Sequence, residues 1–326
     1  MSHSDLLSLL AQGEFRSGQD LADALGVSRT AVWKQINKLT RDIGVPVESV
    51  KGRGYRISGG LDLLSREAVL AALVPAVGAQ LHALEIHDAI DSTNAEAMRR
   101  AEANAPSGLV VTAEQQSAGR GRRGRQWVSP YARNLYVSLL WRFEGGAAAL
   151  EGLSLAVGVA VARALEISGV SGVALKWPND ILLQGAKLGG ILIEMTGDPA
   201  GTCQVVIGVG INVAMPAEAA GDIDQAWTDV VSHASEPLPT RNQLLAALLN
   251  ELLPLTAGFG THGFAPLRDA WMALDAYAGA AVVLDSGARQ LAGIARGVDE
   301  RGALRLETTT GIQTVYGGEI SMRPTA

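Results

Sequence analysis

Residues 119–127 read Gly119-Arg120-Gly121-Arg122-Arg123-Gly124-Arg125-Gln126-Trp127, with three glycines and four arginines in nine positions. Bare spacing matches the G-x-G-x-x-G dinucleotide fingerprint, which requires a helix to open directly behind the glycines. Here Val128-Ser129-Pro130 follows and leads into another β-prone run. That sets a Rossmann arrangement aside. The physical content of the stretch remains: glycines admit backbone amides close to an anion, and arginines add fixed charge with forked donors. A solvated basic loop or a nucleic-acid contact is the plain reading. In a block that is otherwise acidic, a dedicated anion site fits better.

Around this stretch, residues 61–275 alternate strand and helix signals. Strands are expected at Leu109–Thr112, Leu135–Trp141, Ala174–Lys176, Gly190–Met195 and Val205–Gly210, and long helices at Leu150–Ile167 and Arg241–Leu255. Segment 214–239 is polar and breaks periodicity, so it reads as a loop that is functional or mobile. Lys176-Trp177-Pro178-Asn179-Asp180 and Lys187-Leu188-Gly189-Gly190 put lysines beside turns and strands. Each lysine is either an ordinary turn residue or an ammonium placed for a phosphate or carboxylate. Asn179-Asp180 is either a strand-to-turn cap or a carboxylate for hydrated Mg²⁺. Gly208-Val209-Gly210-Ile211-Asn212 is a strand with a glycine bend or a backbone that passes close to a ligand. Ser92-Thr93-Asn94 caps a helix by default, and a helix start can also receive a small polar ligand. The five histidines form no pair at metal-ligand spacing, and no Ser/His/Asp signature is present.

Before this block, Ser17 and Ser28 are positioned to cap two short helices joined by Gly26-Val27-Ser28, the helix-turn-helix pattern. Val32, Trp33, Ile36 and Leu39 recur on the second of them. A hairpin with the tip Lys51-Gly52-Arg53-Gly54 follows and makes the motif a winged one. After the block, Ala281–Leu284, Gln290–Gly297, Ala303–Glu307 and Gln313–Tyr316 read as four short strands of a small barrel or meander.

The net charge of −6 conceals an asymmetry: residues 29–56 carry a net +5 and residues 61–275 a net −8. A basic patch on an acidic body suits a local polyanion contact. The 326 residues, 48% apolar and 18% charged, exclude wholesale disorder. No run reaches the ~18 consecutive apolar residues of a membrane span. The N-terminus lacks the basic and apolar regions of a secretory signal, and Cys203 alone excludes a disulfide framework. A soluble, cytoplasmic protein is expected.

Asp91-Ser92-Thr93-Asn94, the 119–127 stretch, KWPND at 176–180, KLGGILIE at 187–194 and GVGIN at 208–212 together resemble the biotin–protein ligase family, in the family's order. With the winged helix, the chain resembles the subgroup that doubles as biotin operon repressor. The resemblance implies an α+β chain in three parts. They are a winged helix-turn-helix DNA-binding domain at 1–60, a mixed α/β ligase domain of the biotin–lipoate type at 61–275, and an SH3-like β-barrel at 276–326. It implies that biotin and ATP form biotinyl-5′-adenylate and that biotin passes to a lysine of a biotin carboxyl carrier protein of the acetyl-CoA carboxylase type. Ser92, Thr93, Asn94, Gln116, Arg120, Gly121, Arg122 and Lys187 would surround biotin and its adenylate, with Lys187 and Arg122 catalytic. Lys176, Asn179, Asp180, Asn212, Trp227 and Arg323 would serve ATP, with Asp180 on Mg²⁺ and Trp227 a lid over adenine.

The adenylate-bound form would be a homodimer on operator DNA, with no membrane involved. Arg29, Thr30, Lys34, Gln35 and Lys38 put polar and basic side chains on the outer face of the helix that Ser28 caps, as base and phosphate contacts require, and Lys51 and Arg53 add the wing tip. A ligase whose winged helix no longer binds DNA is the main alternative. A lipoate or octanoyl transferase shares the fold logic but is expected to carry other motifs. A ligand-sensing repressor without catalysis would not need Lys187 or the arginine loop.

Overall fold

The computed structural model describes residues 3–198, 200–221, 223–287, 289–317 and 320–325. At the N-terminus, α1 (His3–Leu10), α2 (Gly18–Leu25) and α3 (Arg29–Ile43) precede the hairpin of β1 (Glu48–Val50) and β2 (Gly54–Arg56). Ser17 and Ser28 accept hydrogen bonds from the Asp20 and Ala31 amides, and Gly26 and Gly44 end α2 and α3 in the left-handed conformation. Leu6, Leu7, Leu10, Leu21, Val32, Ile36, Leu39 and Ile57 form the core of this unit.

Trp33 departs from the expected apolar stripe. Adjacent helix positions do not share a face, and beside the buried Val32 its indole is 55% exposed. The wing is anchored by Arg16 and Tyr55, which exchange backbone hydrogen bonds of 2.9 Å. Gly54 has φ +102°, and a Cβ there would collide with the Arg16 carbonyl. Only glycine lets the hairpin approach so closely.

The central block continues with α4 (Arg66–Ala71), α5 (Pro75–Gly78), β3 (Ala83–Ile90), α6 (Thr93–Glu102), β4 (Leu109–Gln116), β5 (Leu135–Phe143), α7 (Leu153–Ile167), β6 (Val173–Lys176), β7 (Asp180–Leu183), β8 (Ala186–Gly197), β9 (Cys203–Ile211), α8 (Arg241–His262) and α9 (Arg268–Ala273). The strands form one sheet in the order β3-β4-β5-β9-β8-β7-β6. Only β3 and β4 run parallel. The edge strand β3 and the four-residue β7 were not expected. β3 reads Ala-Leu-Glu-Ile-His-Asp-Ala-Ile and buries only Leu84 fully, so its apolar signal is weak.

Alternate residues face opposite sides, as strand geometry requires. Val110, Leu139, Val205, Ile207 and Val209 join the core built with α7 and α8. Leu109, Val111, Leu140 and Val206 pack on Ala97 and Ala101 of α6. The segments Ala147–Ile167 and Arg241–His262 are long and apolar enough to cross a membrane, yet α7 and α8 bury their apolar residues in this core. The 214–239 segment contains a short 3₁₀ turn at Ala217–Ala220, and Asp222 lies outside the described residues.

The C-terminal sheet is formed by β10 (Ala281–Asp285), β11 (Gln290–Val298), β12 (Leu304–Thr308), β13 (Gly311–Val315) and β14 (Ser321–Pro324). It is antiparallel in the order β13-β12-β11-β10-β14. Four strands were expected; the fifth, β14, returns to β10 with Arg323 opposite Val283. Val282, Leu284, Leu304, Leu306 and Met322 join the same core as the central sheet.

Candidate active site

Gly208 of β9 pairs with Ser138 of β5 and Leu192 of β8, and Gly210 pairs with Gly190 of β8. Two and four residues beyond Val206, these glycines lie on the α6 side of the sheet. They pave the floor of a cavity of about 970 Å³ at the N-terminus of α6. A Cβ at Gly208 would collide with the Asn94 amide, and one at Gly210 would meet the Trp127 indole at 2.7 Å. GVGIN is therefore a close-approach strand, its glycines making room for this chain's own Asn94 and Trp127 side chains.

The Ser92 hydroxyl accepts from the Ala95 amide and caps α6. The next two side chains turn into a buried polar network. The Thr93 amide and hydroxyl both donate to Gln116 Oε1, at 2.9 and 3.2 Å, and Gln116 Nε2 donates to Ser129 Oγ at 3.1 Å. Ser138 Oγ donates to Asn94 Oδ1 at 2.6 Å, and Asn94 Nδ2 donates to Glu194 Oε2 at 2.8 Å. The Asp91 carboxylate accepts two 2.9 Å bonds from Arg99, which hold its pKa down at about 2.

Arg120, Arg122, Arg123, Lys176 and Lys187 bring positive charge to the same cavity. Arg120 Nη2 lies 3.0 Å from Glu194 Oε2. Arg122 donates to Asn179 Oδ1 at 2.7 Å and to the Ile320 carbonyl at 3.3 Å, and Arg123 donates to Ser321 Oγ at 3.2 Å. The arginine loop is thus tied to the C-terminal sheet. Lys187 Nζ lies 2.7 Å from Asp180 Oδ1 and Lys176 Nζ 2.8 Å from Asp180 Oδ2. Burial alone would raise the Asp180 carboxyl, but the Lys187 and Lys176 ammonium groups outweigh it and hold the carboxyl below its ordinary value.

Ser92, Thr93, Asn94, Gln116, Arg120, Gly121, Arg122, Lys176, Asn179, Asp180, Lys187 and Arg323 all line this cavity. Asn212 and Trp227 do not. Asn212 Nδ2 donates to the Thr228 carbonyl at 3.0 Å, and the Trp227 backbone bridges to that of Lys187. Both residues hang the 226–228 segment on β8, and Ile223, Asp224 and Gln225 reach the cavity instead. Asp180, expected on Mg²⁺, has both oxygens engaged by ammonium groups. Among the described residues no cluster of three acidic, His or Cys side chains could hold a metal, so the residues do not fit a resident cation.

Trp127, Ser138 and Glu194 were given no role from the sequence. Trp127 ended the arginine stretch, and its position under Lys187 Nζ, 5.7 Å from the ring centre, depends on non-local pairing. In the N-terminal unit, Arg29, Thr30, Lys34, Lys38, Lys51 and Arg53 are exposed and Gln35 is half-buried.

Residues 87–212 match the Biotin/lipoate A/B protein ligase family, residues 3–56 an HTH domain and residues 279–323 the Biotin protein ligase C terminal domain. The chain is 43% identical to the Bifunctional ligase/repressor BirA of Escherichia coli (strain K12), over 98% of this chain and 96% of that protein. It is 36% identical to the protein of the same description from Bacillus subtilis, over 98% of each. It is also 39% identical to the Biotin--[acetyl-CoA-carboxylase] ligase of Paracoccus denitrificans, over 71% of this chain and 96% of that one. Among solved structures it is similar to the biotin protein ligase from Aquifex aeolicus in complex with biotin and ATP. The TM-score is 0.62 at 29% identity, covering 75% of this chain and 100% of that one.

Proposed function

The chain belongs to the biotin/lipoate A/B protein ligase family, and on that footing we infer that it is an ATP-dependent, AMP-forming biotin–protein ligase that is also a repressor. It activates biotin to biotinyl-5′-adenylate and transfers it to a lysine of a biotin-dependent carboxylase. With the adenylate bound, it represses transcription of biotin synthesis genes. The observation that carries this reading is the Lys176–Asp180–Lys187 cluster, which shares one glycine-floored cavity with Arg120 and Arg122.

In the first step a carboxylate oxygen of biotin attacks the α-phosphorus of ATP and pyrophosphate leaves. The two reactants are both anions, so the gain must come from positioning and electrostatic stabilisation. Arg122 and Lys187 are the residues we assign to that charge. Asp180 keeps the two ammonium groups paired, and ligand oxygens would compete with it for them. The network Ser92–Thr93–Asn94–Gln116 offers donors and acceptors to a small polar ligand, and we assign it to biotin. Lys176, Asn179 and Arg323 also line the cavity and are assigned to ATP. Magnesium would enter as part of the nucleotide substrate, bound chiefly by phosphates and water. In the second step the lysine amine of the carboxylase attacks the activated carbonyl, forms an amide and releases AMP.

The functional units follow the ranges 1–60, 61–275 and 276–326. The carrier is a biotin carboxyl carrier domain, the DNA is an operator, and both partners imply action in the cytoplasm. The adenylate-bound form is a homodimer, since a helix-turn-helix commonly reads two half-sites as a dimer. Purified chain with biotin, Mg·ATP and a carrier domain should label the carrier, and no labelling would remove the ligase reading. Sedimentation equilibrium of the apo, biotin-bound and adenylate-analogue forms tests the dimer, and equal dimerisation in all three would sink ligand-gated assembly.

A further inference from the structure

Between α3 and the wing lies a groove of about 840 Å³, lined by Arg29, Thr30, Trp33, Lys51 and Arg53 among others. Single exposed apolar residues are common and call for no explanation. Trp33 differs in its setting. Its 55% exposed indole stands one turn after Arg29 and Thr30, inside a concave surface whose rim is cationic. Arg41 and Arg56 of this unit pair with Asp42 and Glu48. Among the described residues, Arg29, Lys34, Lys38, Lys51 and Arg53 have no carboxylate partner. The unit therefore presents uncompensated positive charge around one large apolar side chain.

We propose that Trp33 is a base-reading residue for duplex DNA: its indole contacts base edges, a thymine methyl in particular, while Arg29, Lys51 and Arg53 hold phosphates. The proposal rests on the DNA-binding reading above. The major groove, about 12 Å wide, admits a helix whose N-terminal residues meet base edges, and apolar side chains there recognise the thymine methyl. α3 enters with its N-terminal turns exposed and Val32, Ile36 and Leu39 buried behind them. The wing is braced for its role as well. The Arg53 and Arg56 guanidiniums lie 4.1 and 4.4 Å from the centre of the Phe15 ring, so the cationic hairpin is held against the body of the unit.

The test uses the full chain with biotin and Mg·ATP. A randomised duplex library is selected with the wild type, and the selected duplex and a scrambled one are then titrated by fluorescence anisotropy across a salt series. Trp33→Ala should reduce the preference for the selected duplex about tenfold or more, as loss of one base contact does. It should leave affinity for the scrambled duplex, its salt slope and thermal unfolding unchanged, and Trp33→Phe should keep much of the preference. The double variant Lys51→Ala/Arg53→Ala should lower the salt slope by about 1.8 on both duplexes and select the same consensus. If Trp33→Ala selects the wild-type consensus with undiminished preference, Trp33 is not a reader and the DNA-binding reading stands. If the wild type binds neither duplex, that reading and this proposal fall together.

Discussion

Lys187 and Asp180 show how a charge that looks ordinary in sequence becomes committed in space. Lys187 reads as a turn lysine until its ammonium is found 2.7 Å from a carboxylate that Lys176 also holds. Lys187→Ala should fold and should lower adenylate formation about 10²-fold, the typical loss of one transition-state donor. A pyrophosphate-release assay checks this, and full activity would remove Lys187 from the chemistry. For Asp180 the sign follows from its depressed pKa. The carboxylate contributes stability that is fully present above its unfolded value of about 4 and is lost as pH falls through its lower folded value. Asp180→Asn leaves two ammonium groups adjacent and should cost about 3 kcal/mol at pH 7. Urea unfolding of both proteins should show that difference shrinking below about pH 4. A difference that is constant with pH would contradict the pairing.

Strand β9 illustrates an element whose composition is set by what passes over it. Its buried face carries Val205, Ile207 and Val209, ordinary core residues, while its other face carries Gly208 and Gly210 beneath Asn94 and Trp127. Gly208→Ala adds one methyl where the Asn94 side chain already sits. It should cost about 1–3 kcal/mol, as overpacking does, and raise KM for biotin more than it lowers kcat. Steady-state kinetics with biotin varied would show the split, and an unchanged KM would mean that Asn94 does not touch biotin. The same alternation explains what the sequence concealed. β4, β5 and β9 announced themselves as apolar runs buried on both faces, whereas β3 has only one partner strand, its parallel neighbour β4, and few buried residues. Trp33 leaves its expected place for a related reason: the 100° step per residue takes position 33 off the face shared by 32, 36 and 39.

Across the molecule, the 62–65 linker that follows the winged unit is fastened to the ligase block by a buried clasp. Arg241 and Glu114 are 2% and 4% exposed and pair at 2.6 Å. Around them, the Glu114 carboxylate accepts from the Leu64 amide at 2.6 Å, and Arg241 donates to the Asp62 and Asn134 carbonyls at 2.7 and 3.0 Å. Asn242 bonds the Leu63 carbonyl and the Ser65 amide at 2.9 and 2.7 Å. Tyr131 and Ala132, which follow the arginine loop, pack into the core of the winged unit. Arg241→Ala would leave Glu114 buried without its partner and should cost about 3–5 kcal/mol. It should also free the 61–65 linker to proteolysis. A urea midpoint and a cleavage pattern like those of the wild type would show that the clasp contributes nothing.

Local chemistry sufficed for the three-part order, the capped helices, the arginine loop, the lysine-bearing turns and the family resemblance. Each of these depends on residues close together in the chain, where capping, turn preference and periodicity act directly. What the chain could not declare one segment at a time depends on pairs far apart in it. Asp180 pairs with two lysines at once, Asn212 supports a loop rather than lining the cavity, and Glu194 closes on Asn94 and Arg120. Such partners are selected by strand register and burial, and both exist only once the sheet has assembled.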